Sequence, residues 1–482
     1  MSTMIPKSPK NQYFTISERN QANDQISVYR YSPGESGRID IITPVQTKSY
    51  SRTVLNAFLP AGYPNSVTDD YLRYQIFDSL QAFSSSIAGM ISSRAALESI
   101  GVGDSNASPT AVLLLSVLHE SMGRITTILF AHRLGTSLEP ECKMFRLAAD
   151  VFIDSALIIE CLSPTFPKAW RVVLFSLASI LRSLCGVAAG SSKASLSAHF
   201  ATQDNIGELN AKDSSQETVI SLIGMLAGSV VVSHVTSKWT SWVVLSLLLV
   251  VHLYTNYLAV RAVCMRTFNR QRANLFLSVL IDNLRCKSQN DIIKDPKAIK
   301  GISISTQDVS SPRDIMLNER IFEWGGVLRW KGSKALGYCK LGVSLKSLFD
   351  SFGRRNDRTG STTSIQAQKF QELLHIYKAS SYILWYDEPS NNFLVAIKSH
   401  TENEVEIQLK AWTQALCLAK FGSVSPEEPL IDALRRTRNI AEGVVDKLIS
   451  SGLLRDHGWN TQQNAMEIYP GFRATVDEND KF

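Results

Sequence analysis

The chain has 482 residues, 44% hydrophobic and 20% charged, with 50 Lys and Arg against 44 Asp and Glu for a net charge of +6. That length allows two or three domains, and the small basic excess excludes the electrostatic footprint of a nucleic-acid binder. The seven cysteines, Cys142, Cys161, Cys185, Cys264, Cys286, Cys339 and Cys417, are odd in number and contain no C-x-x-C pair; neither a disulfide framework nor a metal site is indicated, and a reducing compartment fits.

Residues 1–50 are polar and rich in Ser, Asn and Gln, a composition that predicts a disordered tail. They contain no apolar core of a signal peptide. Glu18, Asp24, Glu35 and Asp40 argue against a transit peptide. The segment FLPAGYPNSVTDD at 58–70 carries Pro60, Gly62 and Pro64 and reads as a structured loop. Thr68, Asp69 and Asp70 are candidate caps for the helix after it.

Six helices are then predicted. The first four span 74–93, 110–134, 143–162 and 170–189, with GVGDSNASP at 101–109 as a turn between the first two. That turn lacks the Lys-Ser/Thr of a phosphate loop and the third Gly of a dinucleotide fingerprint. The fifth helix lies in the uncharged run 219–237, and Ser214 with Glu217 has the spacing of a capping box at its start. The sixth, WTSWVVLSLLLVVHLYTNYLAV at 239–260, has 22 residues without a charge. At about 1.5 Å per residue it matches a hydrocarbon core about 30 Å thick. Trp239 and Trp242 at one end and Tyr254 and Tyr257 towards the other take interfacial places. Runs five and six read as a membrane hairpin turning at Lys238. Arg261, Arg266, Arg270 and Arg272 follow without an acid among them; they read as an ordinary solvated helix face or, by the positive-inside rule, as placing that end and the C-terminal region on the cytosolic side or its organellar equivalent.

After 272 the character changes. Residues 286–313 read as a linker. Residues 382–386 and 393–397 around EPSNN read as a β-hairpin, and 402–420 and 429–450 as helices. The expected fold is therefore mainly α: a multi-helix membrane-associated domain (51–285), then a small α+β domain (314–482).

Several residues are candidates for chemistry. Asp150 and Asp154 lie four apart in the otherwise apolar LAADVFIDSALIIE, so they share a helix face. Two readings stand. They line a polar cavity with Asp78 and Arg182 as a relay or substrate contact, or they pair structurally with Arg124, Arg146 or Arg182. Lys193, Lys212, Asp213, Ser214 and Glu217 lie around the loop between helices four and five, a candidate corner for a phosphate. Gly186 with Gly190, and Gly224 with Gly228, have the G-x-x-x-G spacing of closely packed helices. His234 and His252, single residues in apolar runs, read as hydrogen-bonded core histidines. No metal spacing and no G-x-S-x-G is present, so no catalytic residue and no resident cofactor is assigned, and the chain is not read as an enzyme.

Six blocks in order, FLPAGYPNSVTDDYLRYQIFDSLQAF (58–83), GVGDSNASP, LAADVFIDSALIIE, CGVAAGSSKASLSAHFA (185–201), NAKDSSQET (210–218) and HLYTNYLAVRAV (252–263), resemble the root UVB sensitive (RUS) family. The resemblance covers roughly 51–272 and implies a eukaryotic membrane-associated protein. Plant members are linked to seedling growth, ultraviolet-B response, auxin transport and vitamin B6 homeostasis, and two members associate. It therefore implies a lipid bilayer and a homo- or hetero-oligomer with another family member as partners, and pyridoxal phosphate as a ligand to test at the Lys193/Lys212 corner. It transfers no catalytic residue, and no plastid location.

Overall fold

The computed structural model describes residues 14–19, 25–32, 38–43, 58–100, 109–287, 293, 301, 303–323, 325–355, 362–363, 367–398, 403–422, 428–469 and 471–475. The GVGDSNAS turn at 101–108 lies outside them.

Near the N-terminus, where disorder was expected, β1 (Phe14–Arg19), β2 (Gln25–Ser32) and β3 (Arg38–Ile42) form an antiparallel meander in the order β1-β2-β3. The period-2 alternation of Phe14, Ile16, Tyr29, Tyr31, Ile39 and Ile41 carries it. Phe14 pairs with Tyr31 and Tyr31 with Ile39, so the apolar side chains share one face. The polar average of residues 1–50 hides that alternation.

Six long helices follow: α1 (Tyr71–Ile100), α2 (Pro109–Leu138), α3 (Cys142–Leu162), α4 (Lys168–Phe200), α5 (Ile206–His234) and α6 (Lys238–Ala262). Four of them, α2 from Leu113, α4, α5 and α6, are long and apolar enough to cross a membrane by length and composition. Each is longer than its apolar run, because good helix formers on either side extend it. The largest extension corrects the fifth helix. It begins at Ile206 after the cap Asn205, so Ser214 is an interior residue and the Ser214/Glu217 capping box does not exist. Glu208, Leu209, Ala211 and Lys212 carry the helix through the polar stretch.

The rest is α+β. Helices α7 (Arg270–Lys287), α8 (Pro312–Asn318), α9 (Leu345–Asp350), α10 (Ala367–Ile376), α11 (Glu404–Phe421), α12 (Leu430–Ser450) and α13 (Leu453–Asp456) accompany β4 (Val327–Arg329), β5 (Ala335–Leu341), β6 (Tyr382–Asp387), β7 (Asn392–Lys398) and β8 (Arg473–Ala474). The expected hairpin is β6-β7, paired antiparallel from Tyr382–Ile397 to Asp387–Asn392. β7 is the hub, running parallel to β5 and β8 as well. Trp412, Tyr377, Tyr382 and Phe276 are buried to within 1% in the core beneath this sheet. The expected linker is partly built: Ser305 and Asp308 form a capping box, and Lys287 binds Asp308 at 2.7 Å.

Contacts group the chain into two units, Met1–Arg94 with Ala194–Ala259, and Ala95–Lys193 with Val260–Phe482. Each holds its own buried polar cluster.

Candidate functional site

In the first unit, helix α1 is inside out. Tyr71, Tyr74, Gln75, Asp78, Gln81 and Ser84 recur at helical spacing and are all buried, at 8% exposure or less. Leu72, Ile76 and Leu80, four apart on another face, are 44%, 52% and 49% exposed. A helix folding in water shows the reverse pattern.

The buried face is hydrogen-bonded along its length. At the start, Asp70 accepts from Thr68 Oγ1 at 2.5 Å and meets His199 Nε2 at 3.0 Å. The Phe200 ring lies between Tyr71 and Tyr74, with centroids at 5.5 and 5.1 Å. One turn on, Gln75 Nε2 donates to Asp213 Oδ1 of α5 at 2.6 Å, and the Tyr74 hydroxyl donates to Asp78 at 3.4 Å. Beyond it, Gln81 Nε2 lies 3.2 Å from His252 Nε2 of α6. Asn256, one turn after His252, is fully buried.

Close packing holds these helices. A Cβ on Gly224 would stand 2.7 Å from Ser86 Cβ and 3.1 Å from Phe83 O; one on Gly228 would stand 3.0 Å from Met90. Only glycine lets α5 approach α1 so closely. At the end of α5, Arg94 donates to the carbonyls of Val232 and Val235 at 3.1 and 2.8 Å, satisfying groups the helix leaves open. Gly186 and Gly190 differ: among the described residues nothing lies within 4 Å of a Cβ at either, so they pack no helix pair here.

The second unit carries ion pairs. Asp150 meets Arg146 at 3.4 Å. Asp154 is buried one turn further on. Arg182 forks onto Glu160, Nε to Oε1 at 2.9 Å and Nη2 to Oε2 at 2.6 Å, and Arg124 meets Glu120 at 3.6 Å. Asp78 lies in the first unit, while Asp150, Asp154 and Arg182 lie together in the second, all close enough to Cys185 to act on its thiol. Asp150 has Arg146 and Arg182 has Glu160 as a charge partner, an arrangement that fits either reading. Glu160 was missed; a carboxylate at the end of the same apolar run was its signal.

A buried triad stands near the start of α3. Lys143 Nζ meets Glu319 Oε2 at 2.5 Å and Arg272 Nη1 meets Glu319 Oε1 at 3.1 Å, with all three side chains 6% exposed or less. Burial pushes the Glu319 carboxyl up, but Lys143 and Arg272 outweigh it and hold it below the usual carboxylate range. Arg270 binds Glu141 at 2.9 Å and Arg261 donates to Glu319 O at 2.9 Å. Three of the four arginines after the last apolar run are therefore bound by protein groups. Sequence proximity to acids did not show this, because their partners lie more than 45 residues away.

The expected phosphate corner also changes. Asp213 turns inward to Gln75, Ser214 and Glu217 are exposed in mid-helix, and the free N–H groups of α5 stand at its true start, beside Glu208 rather than the lysines. Lys193 belongs to the other unit. Of the two histidines, His252 is the buried, hydrogen-bonded residue expected, while His234 is exposed near a helix end.

Residues 44–283 match the family model described as a vitamin B6 photo-protection and homoeostasis domain. "RUS family member 1" of Dictyostelium discoideum is 39% identical over 280 residues, 57% of this chain and 53% of that protein. "Protein root UVB sensitive 3" of Arabidopsis thaliana is 31% identical over 417 residues, 86% and 84% of the two chains. "Protein root UVB sensitive 2, chloroplastic" of the same plant is 29% identical over 278 residues, 56% and 63%. The chain thus spans about half the length of the Dictyostelium relative and most of root UVB sensitive 3. No solved structure matches. On a family-model match and on identity sustained over most of a curated relative, the chain belongs to the root UVB sensitive family.

Proposed function

We propose that this protein is a multi-pass membrane protein, a carrier rather than an enzyme, that moves a polar solute of vitamin B6 homeostasis along the buried face of α1, with its C-terminal domain in the cytosol. The inverted pattern of α1 carries the reading. Lipid stabilises Leu72, Ile76 and Leu80 where they are exposed, and a closed polar seam of Gln75, Asp78, Gln81, Asp213 and His252 suits a solute that must leave water. Helices α2, α4, α5 and α6 supply the spans. The vitamin B6 link comes from the description of the matched domain. The bilayer is the implied partner. A membrane-anchored adaptor that assembles with a second family member is the alternative, favoured by the separate core of the α+β region.

Purified protein in liposomes tests the carrier. Uptake of labelled pyridoxine, pyridoxal and pyridoxal phosphate is expected above protein-free vesicles, and Asp78→Asn or Asp213→Asn is expected to lower it. Wild-type vesicles that take up none of the three would leave the adaptor reading.

A further inference from the structure

Helix α2 packs one side and leaves the other bare. On the packed side, Ser179 Oγ of α4 donates to His119 O at 2.6 Å, and a Cβ on Gly123 would stand 2.5 Å from Ser183 Oγ. On the bare side Leu113, Val117 and Ile128 are 62%, 55% and 68% exposed. Among them stands the Glu120–Arg124 pair, 3.6 Å apart, with side chains 70% and 81% exposed.

Depth makes this pair informative. From Leu113 to Arg124 the helix rises about 16 Å, roughly half of a hydrocarbon core about 30 Å thick. A charged side chain there is unfavourable against acyl chains, and the guanidinium keeps donors that one carboxylate at 3.6 Å does not satisfy. The face carries both signs four residues apart, so it complements itself. Two parallel copies around a two-fold axis set Glu120 of one against Arg124 of the other, twice. Thr127, Ala131 and Gly135 continue the face at four-residue spacing. Among the described residues nothing lies within 4 Å of a Cβ on Gly135, so a second backbone has room to approach.

We propose that the exposed face of α2 is the seam of a homodimer, closed by reciprocal Glu120–Arg124 pairs between two copies of this chain. The proposal rests on the reading of α2 as a membrane span.

Two differently tagged full-length copies, co-expressed and purified into nanodiscs, test it. Wild-type copies are expected to co-purify. Glu120→Arg copies, and separately Arg124→Glu copies, are expected to lose self-association about tenfold, the equivalent of the two reciprocal pairs together. A Glu120→Arg copy is expected to pair with an Arg124→Glu copy at the wild-type level. Both variants destroy the pair within the chain, so this rescue reports contact between chains. Should a charge variant fail to elute as a folded species, Ala131→Leu is expected to lower association on the same face. A monomeric wild type, or equal co-purification in every combination, overturns the proposal. Alkaline carbonate extraction is scored separately: release of the chain refutes the membrane reading whatever the copies do.

Discussion

Glu319→Ala removes the one carboxylate shared by Lys143 and Arg272. The three side chains are 3–6% exposed, so the two cations stay buried without their counter-charge. Arg272 keeps its bond from Nε to Thr267 O at 2.7 Å, so Lys143 bears most of the loss. Breaking a buried ion pair from one side costs about 3–5 kcal/mol, whereas replacing every charge by apolar groups is often neutral. Cys142 adjoins the triad, 1% exposed, its thiol pushed up to about 11 by burial. Its alkylation therefore requires local opening. Peptide-resolved alkylation of Cys142 in the native protein is the assay. Glu319→Ala is expected to speed it by about two to three orders of magnitude, at 1.4 kcal/mol per tenfold. Lys143→Met added to Glu319→Ala should recover much of that. A Glu319→Ala rate within fivefold of wild type would refute the reasoning, because it would mean that water already reaches the triad.

The same triad sets a pH dependence. The folded pKa of Glu319 is depressed, so its contribution is present above the ordinary carboxyl value of 4.5 and lost as pH falls through the lower folded value; the thermal midpoint of wild type should fall in that acid window more than that of Glu319→Gln. Gly224→Leu forces a side chain against Ser86 and Phe83 and should cost about 1–3 kcal/mol. Gly190→Ala, in open space within a helix, should be neutral or stabilising by up to about 1 kcal/mol; thermal unfolding in detergent separates the two. Gln81→Leu and His252→Phe alone each leave a buried polar partner and should cost about 1–3 kcal/mol. The double variant should cost less than the sum of the two single variants, because the contact between them is counted once.

Much of this molecule was legible in one dimension. Two of the four membrane-length helices, α5 and α6, announced themselves as uncharged runs, and the β6-β7 hairpin by apolar stretches around EPSNN, because each signal is local in sequence. Local signals also misled. The Ser214-x-x-Glu217 spacing looked like a helix start because the polar residues before it were read as loop. The N-terminal meander was lost in an average.

By itself, then, the sequence determined where the long helices lie and which two runs, 219–237 and 239–260, are free of charge, since charge and periodicity are properties of a single segment. The tertiary structure alone decided what each buried charge meets. Asp150 took Arg146 on its own helix, but Arg182 took Glu160 and Glu319 took Lys143 and Arg272 from far along the chain. It also decided which face of α1 turns inward, and that Gly224 and Gly228 touch a neighbour while Gly186 and Gly190 do not. Those outcomes depend on which helices pack together, and packing is a relation between segments that no single segment encodes.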